Sequence, residues 1–428
     1  MGVLRRNTYS SYTEQKERAT AIVDELNALL LGICPILQHY QGIFMELGSE
    51  VLILMLPLTA LRLLVKRKLY FQPILPCILY ALYVATAHGL ALHSLAREAI
   101  LLAYYAAVLN GCVDIGRLFR ITKIIALFAF ACMLIQYLCY YLLGFHLQLV
   151  PTGLLLDNAQ QWVRLAQTGV ISVTGSRMAF YRPSAFFLEP SHLSIYCIPV
   201  LTILLTSNRF GKREIQQAVL ITLSILLSTS GLGIAFAAAA WLMYGAVYYG
   251  ADDQGRRARV RELLRTRSVV FLLFFVLLFV VLYASVGVFR SSVNRVLFGN
   301  AIDARTATGI RLLQMLSGTS LLFGRGTSYQ ISSWNISGFF YTVFQYGIVG
   351  LVLSYLLYFN TLRKKVRREY RLLAFFIILL SFFTVHTFAA YYRLYLVSFV
   401  LCGYRIRYCE GDQGQKAVGN LRSRVWKT

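Results

Sequence analysis

Long apolar runs alternate with short polar segments along the whole chain, and the runs set the class of the protein. Twelve of them approach or exceed the ~18 apolar residues of a membrane span. They fall at roughly 28–44, 47–64, 70–88, 96–113, 121–143, 192–207, 214–229, 231–249, 268–289, 338–359, 372–388 and 390–404. The pattern predicts an all-α, polytopic membrane protein with about 12 transmembrane helices. The first run and the last two are short enough to be tilted, broken or re-entrant.

This division gives an N-terminal tail at 1–27, a membrane domain at 28–404 and a C-terminal tail at 405–428. Two connecting segments are long, about 145–191 and 290–337, and connections of that length tend to carry function. The first contains Leu154-Leu155-Leu156-Asp157-Asn158-Ala159-Gln160-Gln161-Trp162-Val163-Arg164. That stretch reads as a short amphipathic helix lying in the membrane interface. The second is rich in Gly, Ser, Thr and Arg. The polar stretch from Arg5 to Asp24 argues against a cleavable signal peptide, so the first span is expected to direct insertion.

Composition agrees with the pattern. Of 428 residues, 58% are hydrophobic and 14% charged, with a mean hydropathy of +0.61, whereas soluble domains carry about 25% charged residues. The net charge of +24 admits two readings, a nucleic-acid binder or a membrane protein with basic cytoplasmic loops. No soluble stretch is long enough to present a basic nucleic-acid face. The clusters instead fall in alternate connections, and 32 of the 42 basic residues, including all Lys, lie in one set. That set runs from Arg5/Arg6/Lys16/Arg18 through Arg62–Lys68, Arg117–Lys123, Arg209–Arg213, Arg256–Arg267 and Arg363–Arg371 to the residues from Arg405 onward. By the positive-inside rule both termini are cytoplasmic. The loop at 252–267 also suits contact with anionic membrane lipid.

The remaining ten basic residues face outward, and every one is Arg: Arg97, Arg164, Arg177, Arg182, Arg290, Arg295, Arg305, Arg311, Arg325 and Arg393. Guanidinium offers a planar, permanently charged fork that binds phosphate through paired bonds, which a Lys ammonium cannot. An arginine-only outer face points to a phosphate or pyrophosphate ligand. About half of these residues are expected to touch only headgroups or carbonyls, Arg290 and Arg295 first.

Chemistry concentrates at two places. In Tyr181-Arg182-Pro183-Ser184-Ala185-Phe186-Phe187-Leu188-Glu189-Pro190-Ser191-His192, Pro190 suits the first turn of an apolar helix. Its N-terminus, with free N–H groups and the positive dipole end, favours an anion beside Arg182. Glu189 and His192 fall within one turn of that start, as an acid/base pair or, for Glu189, as a simple dipole partner. The second place is Asp303-Ala304-Arg305-Thr306-Ala307-Thr308-Gly309-Ile310-Arg311 followed by Gly324-Arg325-Gly326-Thr327-Ser328. There the glycines would let backbone N–H groups approach an oxyanion. Arg177, His386 and Arg393 are possible accessory groups.

Other chemistry is argued against. No CxxC pair, no His at metal-ligand spacing and no acidic cluster such as DxD occurs, so neither a metal site nor a cofactor is expected. No Walker A motif and no GxGxxG after a strand is present, which argues against ATP-driven transport and nucleotide-sugar chemistry.

At Arg182-Pro183-Ser184 and Phe187-Leu188-Glu189-Pro190-Ser191-His192 the chain resembles Wzy-type bacterial polysaccharide polymerases, which join O-antigen and capsule repeat units. The likeness extends to Ser228-Thr229-Ser230-Gly231, to Gly324-Arg325-Gly326, to Gly338-Phe339-Phe340 and to Gln345-Tyr346-Gly347-Ile348-Val349-Gly350-Leu351. O-antigen ligases share these short motifs. The resemblance implies a metal-independent GT-C-like glycosyltransferase at the outer face of the bacterial cytoplasmic (inner) membrane. Its donor and acceptor would be undecaprenyl-diphosphate-linked glycans, and a chain-length regulator and flippase of the same pathway would be its partners. On this reading Arg182, Arg305, Arg311 and Arg325 hold the pyrophosphate, and Glu189 or His192 takes the acceptor proton. An O-antigen ligase and a lipid-linked oligosaccharide flippase are the competing readings.

Overall fold

Apolar runs punctuated by caps, prolines and glycines become helices whose ends those residues set. The computed structural model describes residues 2–65, 75–88, 92–156, 183–206, 212–250, 283–284, 290, 294, 301–326, 337–365 and 395. Among these the chain is helical, with no strand. In order come α1 (Gly2–Leu37), α2 (Leu47–Val65), α3 (Leu75–His88), α4 (Leu92–Leu109), α5 (Ile115–Leu142) and a 3-10 turn (Thr152–Leu154). Then follow α6 (Pro190–Thr206), α7 (Lys212–Leu227), α8 (Gly231–Gly250), α9 (Ala301–Gln314), α10 (Thr319–Phe323) and α11 (Gly338–Lys365).

Nine of the twelve expected runs fall on these helices. The runs at 268–289, 372–388 and 390–404, and the tail at 405–428, lie almost wholly outside the described residues. Among the described residues three helical segments are long and apolar enough to cross a membrane: Thr20–Leu37, Leu47–Val65 and Ile115–Leu142. Shorter apolar stretches occupy Ala99–Leu109, Pro190–Leu205, Gly231–Leu242 and Gly338–Ser354. Large apolar side chains on these helices face outward, among them Leu54 at 76%, Leu64 at 77% and Leu142 at 75% exposure. Water does not stabilise such a surface, and lipid does. The protein is a membrane-embedded helical protein.

Two expectations are corrected by the backbone. A single helix runs from Gly2 to Leu37, through the expected tail at 1–27 and into the first span. That helix also stops seven residues short of the expected end at 44; the chain turns at Gln38, with Tyr40 N–H bonded to the Leu37 carbonyl (3.1 Å). Finally, Leu154-Leu155-Leu156 does not begin an amphipathic helix. Gln41 donates to the Leu154 carbonyl (2.8 Å), Leu156 donates to that of His39 (3.1 Å), and Leu155 is fully buried. Pairing with a distant loop overrode the helical periodicity, and residues 157–164 lie outside the described set.

The chain divides into two compact units. One comprises 1–128, 151–161 and 306–428, and the other 129–150 and 162–305. In the first unit, α1 packs on α2 and α2 on α4, and a buried polar cluster joins them. Asn27, with no exposed surface, accepts from the Thr59 hydroxyl (2.9 Å) and donates to the Cys112 carbonyl (3.0 Å). One turn away, Arg62 forks onto Asp24 through Nε (3.0 Å) and Nη2 (2.9 Å). Asp114 then caps α5 by accepting from the Arg117 N–H (2.9 Å), the usual role of Asp at a helix start.

Asn27→Ala is expected to destabilise the protein by about 1–3 kcal/mol, since it removes two buried hydrogen bonds, from the Thr59 hydroxyl and to the Cys112 carbonyl. Thermal unfolding in detergent would measure the loss. Asp24→Ala, on a pair that solvent reaches, is expected to cost less.

Candidate active site

In the second unit the Glu189 region is built on α6 and clamped by α5. Pro190 occupies the first turn of α6, as its missing N–H and fixed φ favour. Upstream, the turn at Pro183–Leu188 places Ala185 at φ 54, a left-handed conformation that costs a non-glycine residue about 1–2 kcal/mol. Gln136, a polar residue inside an apolar run, holds that turn. Its Oε1 accepts from Ala185 N–H (2.9 Å), while its Nε2 donates to the carbonyls of Leu147 (3.1 Å) and Ala185 (3.3 Å). Ser184 Oγ donates to the Phe187 carbonyl (2.7 Å), and buried Phe187 packs on Tyr196 with centroids 5.2 Å apart. Sequence reasoning passed over Gln136; an uncharged polar residue in the middle of a span was the available signal.

Held in this way, Glu189 is half-buried at the helix start, and Ser191 Oγ donates to its Oε2 (2.8 Å). His192 N–H bonds the Glu189 carbonyl (3.0 Å), but the imidazole is only 2% exposed. The two side chains expected to share proton transfer therefore differ in access. The carboxylate reaches the surface, and the imidazole is packed inside.

A row of buried hydroxyls continues from α6 to the turn before α8. Ser194 Oγ donates to the Pro190 carbonyl (3.0 Å) and lies 3.2 Å from Ser228 Oγ. Ser228 donates to the Ile225 carbonyl (2.7 Å), and Ser230 Oγ caps α8 by accepting from Gly233 N–H (3.3 Å). A Cβ on Gly233 would stand 2.3 Å from Ser194 Oγ, so glycine is what permits α6 and α8 to close together. Both helices begin at this end, and their N-terminal dipoles add there.

The second expected place lies mainly in the first unit, and its glycines do something other than expected. α11 is broken: Gly347 adopts φ 66 and ψ −173 inside an otherwise continuous helix. The segment Gly324-Arg325-Gly326 packs against the break, with Gly324 at φ 81 and Gly326 at φ 80. Arg325 N–H donates to the Phe344 carbonyl (2.9 Å) and Gly326 N–H to that of Gln345 (3.0 Å). Tyr83 OH, from α3, donates to the carbonyls of Tyr346 (2.7 Å) and Phe323 (3.1 Å). The N–H groups expected to cradle an oxyanion are thus spent on carbonyls that the break exposed. Among the described residues of this segment, the Arg325 guanidinium is left to meet an anion. It is exposed, and its Nη2 donates to the Met315 carbonyl (2.6 Å) beyond the last turn of α9.

Arg311 is exposed on that same last turn of α9. Hence the structure brings Arg325 to the end of the helix that carries Arg311. Arg305 lies on the backbone of α9 as well. Arg290, expected to play no ligand role, bonds the Tyr283 carbonyl through Nε (2.9 Å) and also the Ala284 carbonyl, over the Tyr283 ring. Arg177, Arg182, His386 and Arg393 lie outside the described residues.

Cys34, Cys112, Cys132, Cys139 and Cys197 are buried thiols. Among the described residues no three His, Cys, Asp or Glu side chains gather where they could hold a metal ion. No protein-family model matches the chain, and none of the curated proteins matches it significantly.

Proposed function

We propose that the protein is a polysaccharide polymerase that joins undecaprenyl-diphosphate-linked repeat units at the outer face of a bacterial cytoplasmic membrane. The observation that carries this reading is the Glu189 carboxylate: half-buried, oriented by Ser191, and placed at the start of an apolar helix. In the proposed reaction an acceptor sugar hydroxyl attacks the anomeric carbon of the donor glycan. Its proton passes to Glu189, whose access to the surface favours it over His192. The bond from the anomeric carbon to the diphosphate oxygen breaks, and the lipid diphosphate departs. Arg182, Arg305, Arg311 and Arg325 neutralise the growing charge, a role preorganised cations perform well in a water-poor site. The cleaved bond between glycan and diphosphate supplies the driving force, and neither metal nor cofactor is required.

A flippase for the same lipid-linked glycan is favoured by one feature, the break in α11, because discontinuous helices form substrate sites in transporters. Against it, the carbonyls of Phe344, Gln345 and Tyr346 are already bonded within the protein. The test is purified protein in liposomes that hold a lipid-diphosphate-linked repeat unit and a second, diphosphate-free glycolipid acceptor. Polymerisation yields a ladder of longer glycans on the lipid diphosphate together with released undecaprenyl diphosphate. Glycan appearing on a different lipid acceptor would identify a ligase, and transbilayer movement with unchanged glycan length a flippase.

A further inference from the structure

The connection between α1 and α2, residues 38–46, is a built hairpin with an apolar tip. Its base is fixed on both sides. Gln38 and His39 are each only 4% exposed, and residues 154–156 bond the backbone of His39 and Gln41. Gln41 pairs with Glu46 across the loop, Leu47 N–H donates to the Tyr40 carbonyl (2.9 Å), and Gly42 N–H to that of Met45 (2.9 Å). The tip itself is held from below by Glu50, whose Oε1 accepts from the N–H groups of Phe44 and Met45. Upon this frame Ile43 is 85% and Phe44 89% exposed.

A loop that merely connects two helices has no reason to display adjacent bulky apolar side chains on a rigid frame. What covers them follows from position. The helices on either side, Thr20–Leu37 and Leu47–Val65, are both long and apolar enough to span a membrane. Nine residues between two such spans cannot carry the tip far from the lipid surface. Entry into the interfacial zone demands that backbone polar groups be satisfied internally, and the N–H groups of Gly42, Phe44, Met45 and Leu47 are. Aromatic and aliphatic side chains then settle about 5–10 Å into the headgroup and acyl boundary.

We infer that the Ile43-Phe44 tip is a membrane-inserting anchor that seats in lipid at the α1–α2 end of the protein. The anchor does not depend on the catalytic reading. The experiment places trifluoromethyl-phenylalanine at position 44 of the full-length protein, reconstituted in vesicles of phosphatidylethanolamine and phosphatidylglycerol. The fluorine resonance is read against two paramagnetic probes: a nitroxide near the top of a lipid acyl chain, and a gadolinium chelate in the buffer. Loss of most of the signal with the lipid nitroxide, and much less with the chelate, is the expected result. Stronger broadening by the chelate would show a tip in water and overturn the inference. So would broadening by neither probe, which would mean burial against a second copy or another protein. The same label at position 43 repeats the reading, in case substitution at 44 disturbs the hairpin.

Discussion

Replacing Gly347 with alanine is expected to cost the protein about 3 kcal/mol, the upper end for a strained backbone residue. Its φ of 66 and ψ of −173 lie in a region that only glycine occupies readily. The space is closed as well, for a Cβ there would meet the Leu322 carbonyl oxygen at 2.2 Å and Gly324 N at 2.6 Å. Both are backbone atoms, which cannot swing aside as a side chain would. Gly324 faces the same restriction from the other side: φ is 81, ψ is −177, and its Cβ would stand 2.2 Å from the Gln345 carbonyl oxygen. Each single alanine variant should therefore unfold at lower temperature in detergent and expose the 315–326 segment to protease. Because both glycines serve one junction, the double variant should cost clearly less than the sum of the two. Neighbouring sites that share a structure couple in this way. Simple additivity would show that the break and the 324–326 segment are independent.

The second large effect concerns activity. Glu189→Gln keeps the size of the side chain and can still accept from Ser191, but it cannot take a proton. Loss of a general base is expected to lower the rate by about 10²–10⁴-fold, read as glycan chain growth in the reconstituted reaction, with protein level and unfolding temperature unchanged. Growth at the parental rate would remove Glu189 from the chemistry. Arg325→Ala is the complementary test; besides the charge it removes the bond from Nη2 to the Met315 carbonyl, so unfolding temperature is read beside activity. The 324–326 segment is fixed through backbone N–H groups and its glycines, so truncating the side chain leaves it in place. Chain growth should nearly cease in Arg325→Ala and Arg311→Ala, whereas Arg→Lys should recover only part of it, because an ammonium cannot make the paired contact. Undiminished polymer in both alanine variants would eliminate an anion site at the end of α9.

Much of the local architecture follows from short-range rules. Pro190 opens α6, Ser230 and Asp114 cap the helices they precede, and the apolar runs locate nine helices to within a few residues at most ends. The ten arginines set apart from the lysine-bearing clusters and the Glu189-Pro190-Ser191-His192 element stand out from residue order alone for the same reason. What stayed hidden depended on partners distant along the chain. Ile43 and Phe44 look like the end of the first span, since an apolar run does not distinguish a helix from a hairpin tip. Leu154–Leu156 carries helical spacing but pairs with residues 39–41 more than a hundred positions away.

The sequence by itself determined the class of this protein: hydropathy and charge alternate so regularly that only a helical, membrane-embedded chain satisfies them. Tertiary structure alone decided what its glycines and buried polar groups are for. Gly324, Arg325 and Gly326 read as an anion-binding turn until the Gly324 N–H is seen to go to the Ser320 carbonyl and those of Arg325 and Gly326 to Phe344 and Gln345. Gly347 sits unmarked in an apolar run because the carbonyls its break releases are satisfied by residues 324–326 and by Tyr83. Hydrogen-bond satisfaction in a low-dielectric interior is settled by whichever partner arrives in space, and linear order does not specify that partner.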